Sequence, residues 1–226
     1  MRVLAIDTAL EACSAALLDT GQGAILARQS RPMTRGHAEA LMPLISEVMT
    51  QGETDFTQID RVAVTTGPGS FTGLRVGLSA ARGIGLATGK SVVGLTTLAA
   101  LAAPQIAADN TTVVAVAIDA RHSHVYLQIF GPAGRTLVGA RIVPVAEAVR
   151  AASSTPVRLI GSGASMMAAA WPKTSSPLSV DERRAPDIDW VARLGAAAKE
   201  SQSAPRPVYL RAPDAQPQDA SQLPRR

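Results

Sequence analysis

The feature that most constrains this 226-residue chain is that it writes one pattern twice. The opening Val3-Leu4-Ala5-Ile6-Asp7-Thr8 has a counterpart at Val116-Ala117-Ile118-Asp119-Ala120. Each is an apolar strand ending in an acid. Each is followed by two more strand-like segments: Ala15-Ala16-Leu17-Leu18 and Ala24-Ile25-Leu26-Ala27 in the first copy, and 125–130 and 136–141, across a Gly131-Pro132-Ala133-Gly134 turn, in the second. Helical patterns over about 36–50 and about 144–152 come next. A second strand then runs into a glycine turn that opens another helix, at Val62 to Gly69 and at Val157 to Gly163. A βββαβα unit written twice predicts two α/β halves, each a mixed sheet flanked by helices, facing one another across a cleft.

The first half adds a strand at Ser91 to Gly94 and a helix from about Thr96 to Ala107, which places the boundary near Ala108-Asp109-Asn110. The expected units are therefore 1–108, an abbreviated second half over 109–211, and a tail over 212–226. The second half carries an irregular Ser/Pro stretch from Pro172 to Pro186, then a helix around Ile188 to Ser201. An extended segment is expected at Val208-Tyr209-Leu210, and the tail, rich in proline and polar residues, is expected to be disordered.

Hydrophobic residues make up 46% of the chain, enough to bury a core, and no eighteen-residue window is free of charge, proline or several polar groups. A membrane span is not expected, and the N-terminus reaches an acid after four apolar residues, too soon for a signal peptide. The cytoplasm is the expected compartment, and the single Cys13 suits it. The net charge of +4 comes without a basic run longer than two residues, and aromatics at 3% leave few rings for stacking bases. Three histidines, His37, His122 and His124, and one cysteine offer no zinc-like spacing. Cys13 reads as a buried strand residue, His37 as a cap or packing residue, and His122 and His124 as exposed turn residues.

Asp7 and Asp119 close the opening strands, where open α/β sheets bind ligands and where a carboxylate can hold a metal-phosphate. The loop after Asp7 has no glycine, and Glu11 within it would repel a phosphate. Gly67-Pro68-Gly69-Ser70-Phe71-Thr72-Gly73-Leu74-Arg75 combines a glycine turn with a Ser/Thr cap for the next helix, but lacks the lysine of a P-loop. In that helix Gly73, Gly77, Ala81 and Gly85 form a small-residue ridge, and Arg75, Ser79 and Arg82 a narrow polar line. The ridge suits either packing inside its own half or contact with another protein. The preceding helix has a core stripe at Ala38, Leu41, Met42, Ile45, Val48 and Met49, with Leu44 left over.

Gly67 to Gly77 together with Leu4-Ala5-Ile6-Asp7-Thr8 resembles the TsaB (YeaZ) family of tRNA threonylcarbamoyladenosine biosynthesis accessory proteins. His37 to Ile45, Gly94 to Ala102, Ile118 to Arg121 and Val208 to Arg211 carry the same likeness. The resemblance implies the duplicated actin-like, sugar-kinase and Hsp70 fold, of ribonuclease H-like topology. It implies a subunit that is not an enzyme by itself and that binds and activates the catalytic paralogue TsaD as a heterodimer. That complex threonylcarbamoylates the adenine beside the anticodon of tRNAs reading A-starting codons. The ATPase TsaE is a further implied partner, a homodimer is implied for the chain alone, and tRNA is met indirectly through the complex.

The catalytic paralogue holds its metal with a His-x-x-x-His pair, and the corresponding positions here are Thr97 and Leu101, which supply no imidazole. No metal and no tightly bound cofactor are expected, ATP being used by the wider system. A vestigial nucleotide site at Asp7, Gly67 and Gly69 is expected, and a partner interface at Leu44, Gly73, Leu74, Gly77, Leu78 and Ala81. The alternative reading is a stand-alone ATPase or small-molecule kinase of the same superfold.

Overall fold

The computed structural model describes residues 1–200 and 203–211, so the tail expected to be disordered lies outside the described residues. β1 (Arg2–Asp7), β2 (Ala12–Asp19) and β3 (Ala24–Pro32) form an antiparallel meander. β4 (Arg61–Gly67) and β5 (Ser91–Thr96) add in parallel on the other side of β1, giving the order β3-β2-β1-β4-β5. The second sheet repeats this with β6 (Val113–Asp119), β7 (His124–Phe130), β8 (Thr136–Pro144), β9 (Val157–Ile160) and β10 (Ser179–Asp181), in the order β10-β9-β6-β7-β8. Every pairing keeps the sense it has in the first sheet. The duplication therefore extends to the fifth strand. β10 lies in the stretch expected to be irregular, because three residues carry too little alternation to be read as a strand until they pair with β9.

Alternation along the strands sorts the core into layers. Leu4 and Ile6 of β1, Cys13, Ala15 and Leu17 of β2, and Val62 and Val64 of β4 face outward. They meet α1 (His37–Gln51) and α2 (Phe71–Thr88). Val3, Ala5, Ala16, Leu18 and Ala63 face the other way. The second sheet is covered on its outer face by α4 (Val145–Ala152) and α5 (Ala164–Ala169).

The inner faces are covered by exchange. α6 (Ile188–Ala197), which follows the second sheet in sequence, lays Ile188, Val191 and Ala192 on the first sheet. α3 (Thr97–Ala108), which follows the first sheet, lays Leu98, Leu101 and Ala102 on Val114, Val116, Ile118 and Ile160 of the second. The boundary expected at 108 and 109 thus separates the sheets, while the last helix of each half packs on the other. Gly195 of α6 permits this approach, since a Cβ there would stand 2.2 Å from Ala63 Cβ.

Arg61 fixes where α6 stops. Its buried guanidinium donates through Nη1 to the carbonyls of Gly195 (3.0 Å), Ala196 (3.1 Å) and Ala198 (2.9 Å), and through Nη2 to Glu200 (3.0 Å). A cation at a helix C-terminus satisfies the last carbonyls and the dipole together, so α6 ends at Ala197 rather than running on to Ser201.

Candidate functional site

Three places bear on function: the turn at the end of β1, the cleft between the halves, and the outer surface of α1 and α2. At the first, Asp7 is fully buried. Its Oδ1 accepts the Thr65 hydroxyl at 2.5 Å and the Ala9 N–H at 3.2 Å, while Oδ2 has no partner. Burial pushes its carboxyl up to about 6, against the opposing pull of Thr65, the Ala9 N–H and His37. The same enclosure raises the Cys13 thiol to about 11, with the nearby Asp7 adding to burial. His37 opens α1 with Nε2 3.2 Å from the Leu10 carbonyl, in the packing role expected of it.

The glycine turn is filled by the chain itself. Ser70 caps α2 as expected, its hydroxyl accepting the Gly73 N–H at 3.3 Å, and its own N–H donates to Ala9 O at 2.8 Å. A Cβ on Gly69 would stand 2.3 Å from Ala9 O, and one on Gly67 2.8 Å from Val208 O. These contacts account for the absence of a side chain at 67 and 69; Gly69 lines the cleft, whereas Asp7 is enclosed.

The cleft, about 620 Å³, is lined by Glu11, Ser70 and Thr72 from one half and Asp119, Arg121 and Ser162 from the other, with Arg184 and Arg211 at its margins. Asp119 is exposed there and accepts the Arg121 N–H at 2.7 Å, so the two strand-end acids have opposite surroundings. Arg184 reaches across to Glu11 at 3.0 Å, and Arg211 donates to the Ala120 carbonyl at 2.7 Å. Arg121, His122 and Ser123 all take left-handed backbone where the chain turns into β7.

On the outer surface the expected interface residues need correction. Leu44, Leu74, Leu78 and Ala81 are buried in this chain's own core. Gly73 and Gly77 are occupied by Thr8: a Cβ at 73 would stand 2.1 Å from its carbonyl oxygen, and one at 77 2.5 Å from Oγ1. The ridge faces inward. What remains outside is a groove between α1 and α2, with cavity volumes of about 540 and 520 Å³ that meet at Met42 and Ala80. Ala38, Val76, Gly83 and Ala87 continue its floor and walls. Met42, expected in the core stripe, is instead 49% exposed, as are Phe71 (47%) and Leu86 (87%) of α2. Met42 and Phe71 thus leave apolar surface exposed on two adjacent helices.

An extended segment, 203–211, borders this surface. Val208 N–H donates to Thr66 O at 2.7 Å, Pro205 O accepts from Arg82, and Tyr209 stacks on Phe71 at 5.3 Å. The polar line of α2 is thus where the C-terminal segment is tied down.

A family model described as TsaD, tRNA N6-adenosine threonylcarbamoyltransferase, matches residues 28–174. The chain belongs to this family. Within it the chain falls to the TsaB/YeaZ branch. It is 38% identical over 126 residues to the tRNA threonylcarbamoyladenosine biosynthesis protein TsaB of Escherichia coli, a match covering 56% of this chain and 53% of that protein. The chain spans about half the length of the TsaB proteins of E. coli and Haemophilus influenzae that it matches. An uncharacterized protein of Mycobacterium bovis is 32% identical over 218 residues, 95% of this chain and 94% of that one. The solved structure of YeaZ from Pseudomonas aeruginosa superposes with a TM-score of 0.80 at 28% identity, covering 92% of this chain and 99% of that chain. A polyphosphate/ATP-glucomannokinase from Arthrobacter, with a TM-score of 0.50 at 12% identity over 86% of this chain and 97% of that one, shares the fold alone.

The fold is thus the two-halved α/β architecture that the repeat predicts and the duplicated actin-like and sugar-kinase fold that the resemblance implies. Thr97 and Leu101, the positions that the resemblance sets against the catalytic paralogue's histidine pair, are both fully buried, Leu101 in the core between α3 and the second sheet. They do not fit a metal. Among the described residues no three His, Cys, Asp or Glu side chains come together as a ligand set. None of the described helices is long and apolar enough to cross a membrane.

Proposed function

We propose that the chain acts in tRNA threonylcarbamoyladenosine biosynthesis as a non-catalytic accessory subunit, binding and activating the TsaD paralogue as a heterodimer, with TsaE as a further partner. The observation that carries the reading is the apolar groove along α1 and α2, which the described residues leave uncovered and which meets the cleft only at Phe71 and Thr72. The names of the relatives supply the pathway, and the buried Asp7 and the filled glycine turn explain why the chain would work through a surface instead of a reaction of its own.

Covering such a groove with a helical face of similar character would remove Met42 and the outer side of α2 from water, at about 25 cal/mol for each Å² of apolar surface. The test is sedimentation of the full chain with purified TsaD of the same organism. A complex that disappears when Ala80 is replaced by Trp supports the reading, and no complex at micromolar concentrations of wild-type chain opposes it.

The second reading, an ATPase or kinase, has the cleft in its favour, with Asp119, Arg121 and Arg211 around a space of about 620 Å³. Calorimetry with Mg-ATP and the chain alone decides it: micromolar binding would favour this reading, and no heat at millimolar nucleotide would end it.

A further inference from the structure

Arg75 is the single charged residue among those lining the two stretches of the α1/α2 groove. Its guanidinium carbon lies 3.8 Å from the centroid of the Phe71 ring, and Nε donates to the Tyr209 hydroxyl at 3.4 Å. Tyr209 in turn stacks on Phe71, the rings tilted by 33°. A guanidinium with one face on a ring and one nitrogen tethered has lost most of its freedom before anything binds. Its two terminal nitrogens form a planar fork, and the tether to Tyr209 is made by Nε alone.

Among the described residues that fork has no acid of its own. Seven other arginines, including Arg31 with Glu47 and Arg158 with Asp109, pair with a carboxylate of this chain. Arg75, at the mouth of an apolar groove, pairs with none among the described residues. A partner that covers the groove takes this cation out of water, and a desolvated cation left unmatched weakens the complex severely. The occupant must therefore bring its own acceptor, and a carboxylate matches both the charge and the two-pronged geometry.

We propose that Arg75, held by Phe71 and Tyr209, is a preorganised receptor for one Asp or Glu on an otherwise apolar helical face of the partner, and that the C-terminal segment sets the receptor's position through Tyr209. This rests on the docking reading above. It makes the partner's chemistry specific: apolar along the groove, acidic at the Phe71 end.

The experiment is calorimetry of the full chain with purified TsaD at 0.1 and 0.5 M salt, comparing wild type with Arg75→Ala, Arg75→Lys, Tyr209→Phe and Ala80→Trp, each checked to melt as wild type does. Arg75→Ala is expected to weaken binding roughly tenfold or more at both salt concentrations, as for loss of one partner of a buried charge pair, which salt screens little. Arg75→Lys recovers only part, because a point charge does not replace the planar fork. Tyr209→Phe weakens binding by a smaller factor, since the ring stack survives it.

Binding within twofold of wild type for Arg75→Ala, with Ala80→Trp abolishing it, would overturn the receptor and leave the docking surface standing. Wild-type binding by both would overturn both. Loss of self-association by Arg75→Ala with unchanged TsaD binding would place the acid on a second copy and overturn the partner assigned here.

Discussion

Thr8 and Gly73 hold the end of β1 against the start of α2: the Thr8 hydroxyl donates to the Gly73 carbonyl at 2.7 Å, and a Cβ at 73 would stand 2.1 Å from the Thr8 carbonyl oxygen. One turn on, Gly77 faces the same threonine. The small-residue stripe of α2 is consumed in seating that helix on its own sheet, so the helix presents its other side, from Phe71 past Ala80 to Ala87, to the outside.

Substitutions along α2 should therefore separate by facing. Gly73→Ala and Gly77→Ala press a methyl into Thr8 and are expected to lower unfolding stability by about 1–3 kcal/mol, the usual cost of overpacking. Gly83→Ala meets nothing within 4 Å and should be neutral or stabilising by up to about 1 kcal/mol through helix propensity. Urea unfolding of the three variants reads the contrast. Equal effects at 73 and 83 would contradict the packing.

Asp7 gives the fold a pH dependence of known sign. Its carboxyl titrates near 6 in the folded chain and near 3.8 unfolded, so the folded state holds the proton more tightly. The resulting stability is fully present below about 3.8 and is lost as pH rises to 6, about 3 kcal/mol in all. Asp7→Asn keeps an oxygen for Thr65 and does not titrate. The stability of Asp7→Asn relative to wild type should rise between pH 4 and 6 and level off above 7, measured by denaturant midpoints across that range.

Arg61 ties the first half to the helix that returns from the second. Arg61→Met keeps the apolar stem but orphans the carbonyls of Gly195, Ala196 and Ala198, at a cost of roughly 2–4 kcal/mol. Hydrogen exchange should show early opening of α6 in that variant, with the second sheet still protected. Protection of α6 unchanged from wild type would show that the cap is dispensable.

How much of this is readable without a structure depends on the range of the interaction. The repeated strands, the Ser70 cap and α1 from His37 are local signals, and each stands where the pattern puts it. The exchange of α3 and α6 is set by pairings between halves, for α6 more than a hundred residues apart, as Arg61 with Gly195, and for α3 reaching to Ile160, and leaves no periodic trace. α2 is apolar or small on nearly every side, so periodicity could not say that Gly73 and Gly77 face inward and Val76 and Ala80 outward. In α1 the assignments of Met42 and Leu44 exchange, because a stripe counted from Ala38 drifts by one position against the true core face. Arg75 was legible only as part of a polar line. Its ring and its hydroxyl partner come from Phe71, four residues away, and Tyr209, 134 residues away.

The most direct test of the accessory role is threonylcarbamoylation of tRNA by purified TsaD and TsaE, supplied with threonylcarbamoyl-adenylate, with and without this chain and its Ala80→Trp variant. The account predicts modification that requires the chain and fails with a variant that melts as wild type does. Equal modification without the chain, or full support by Ala80→Trp, would contradict it.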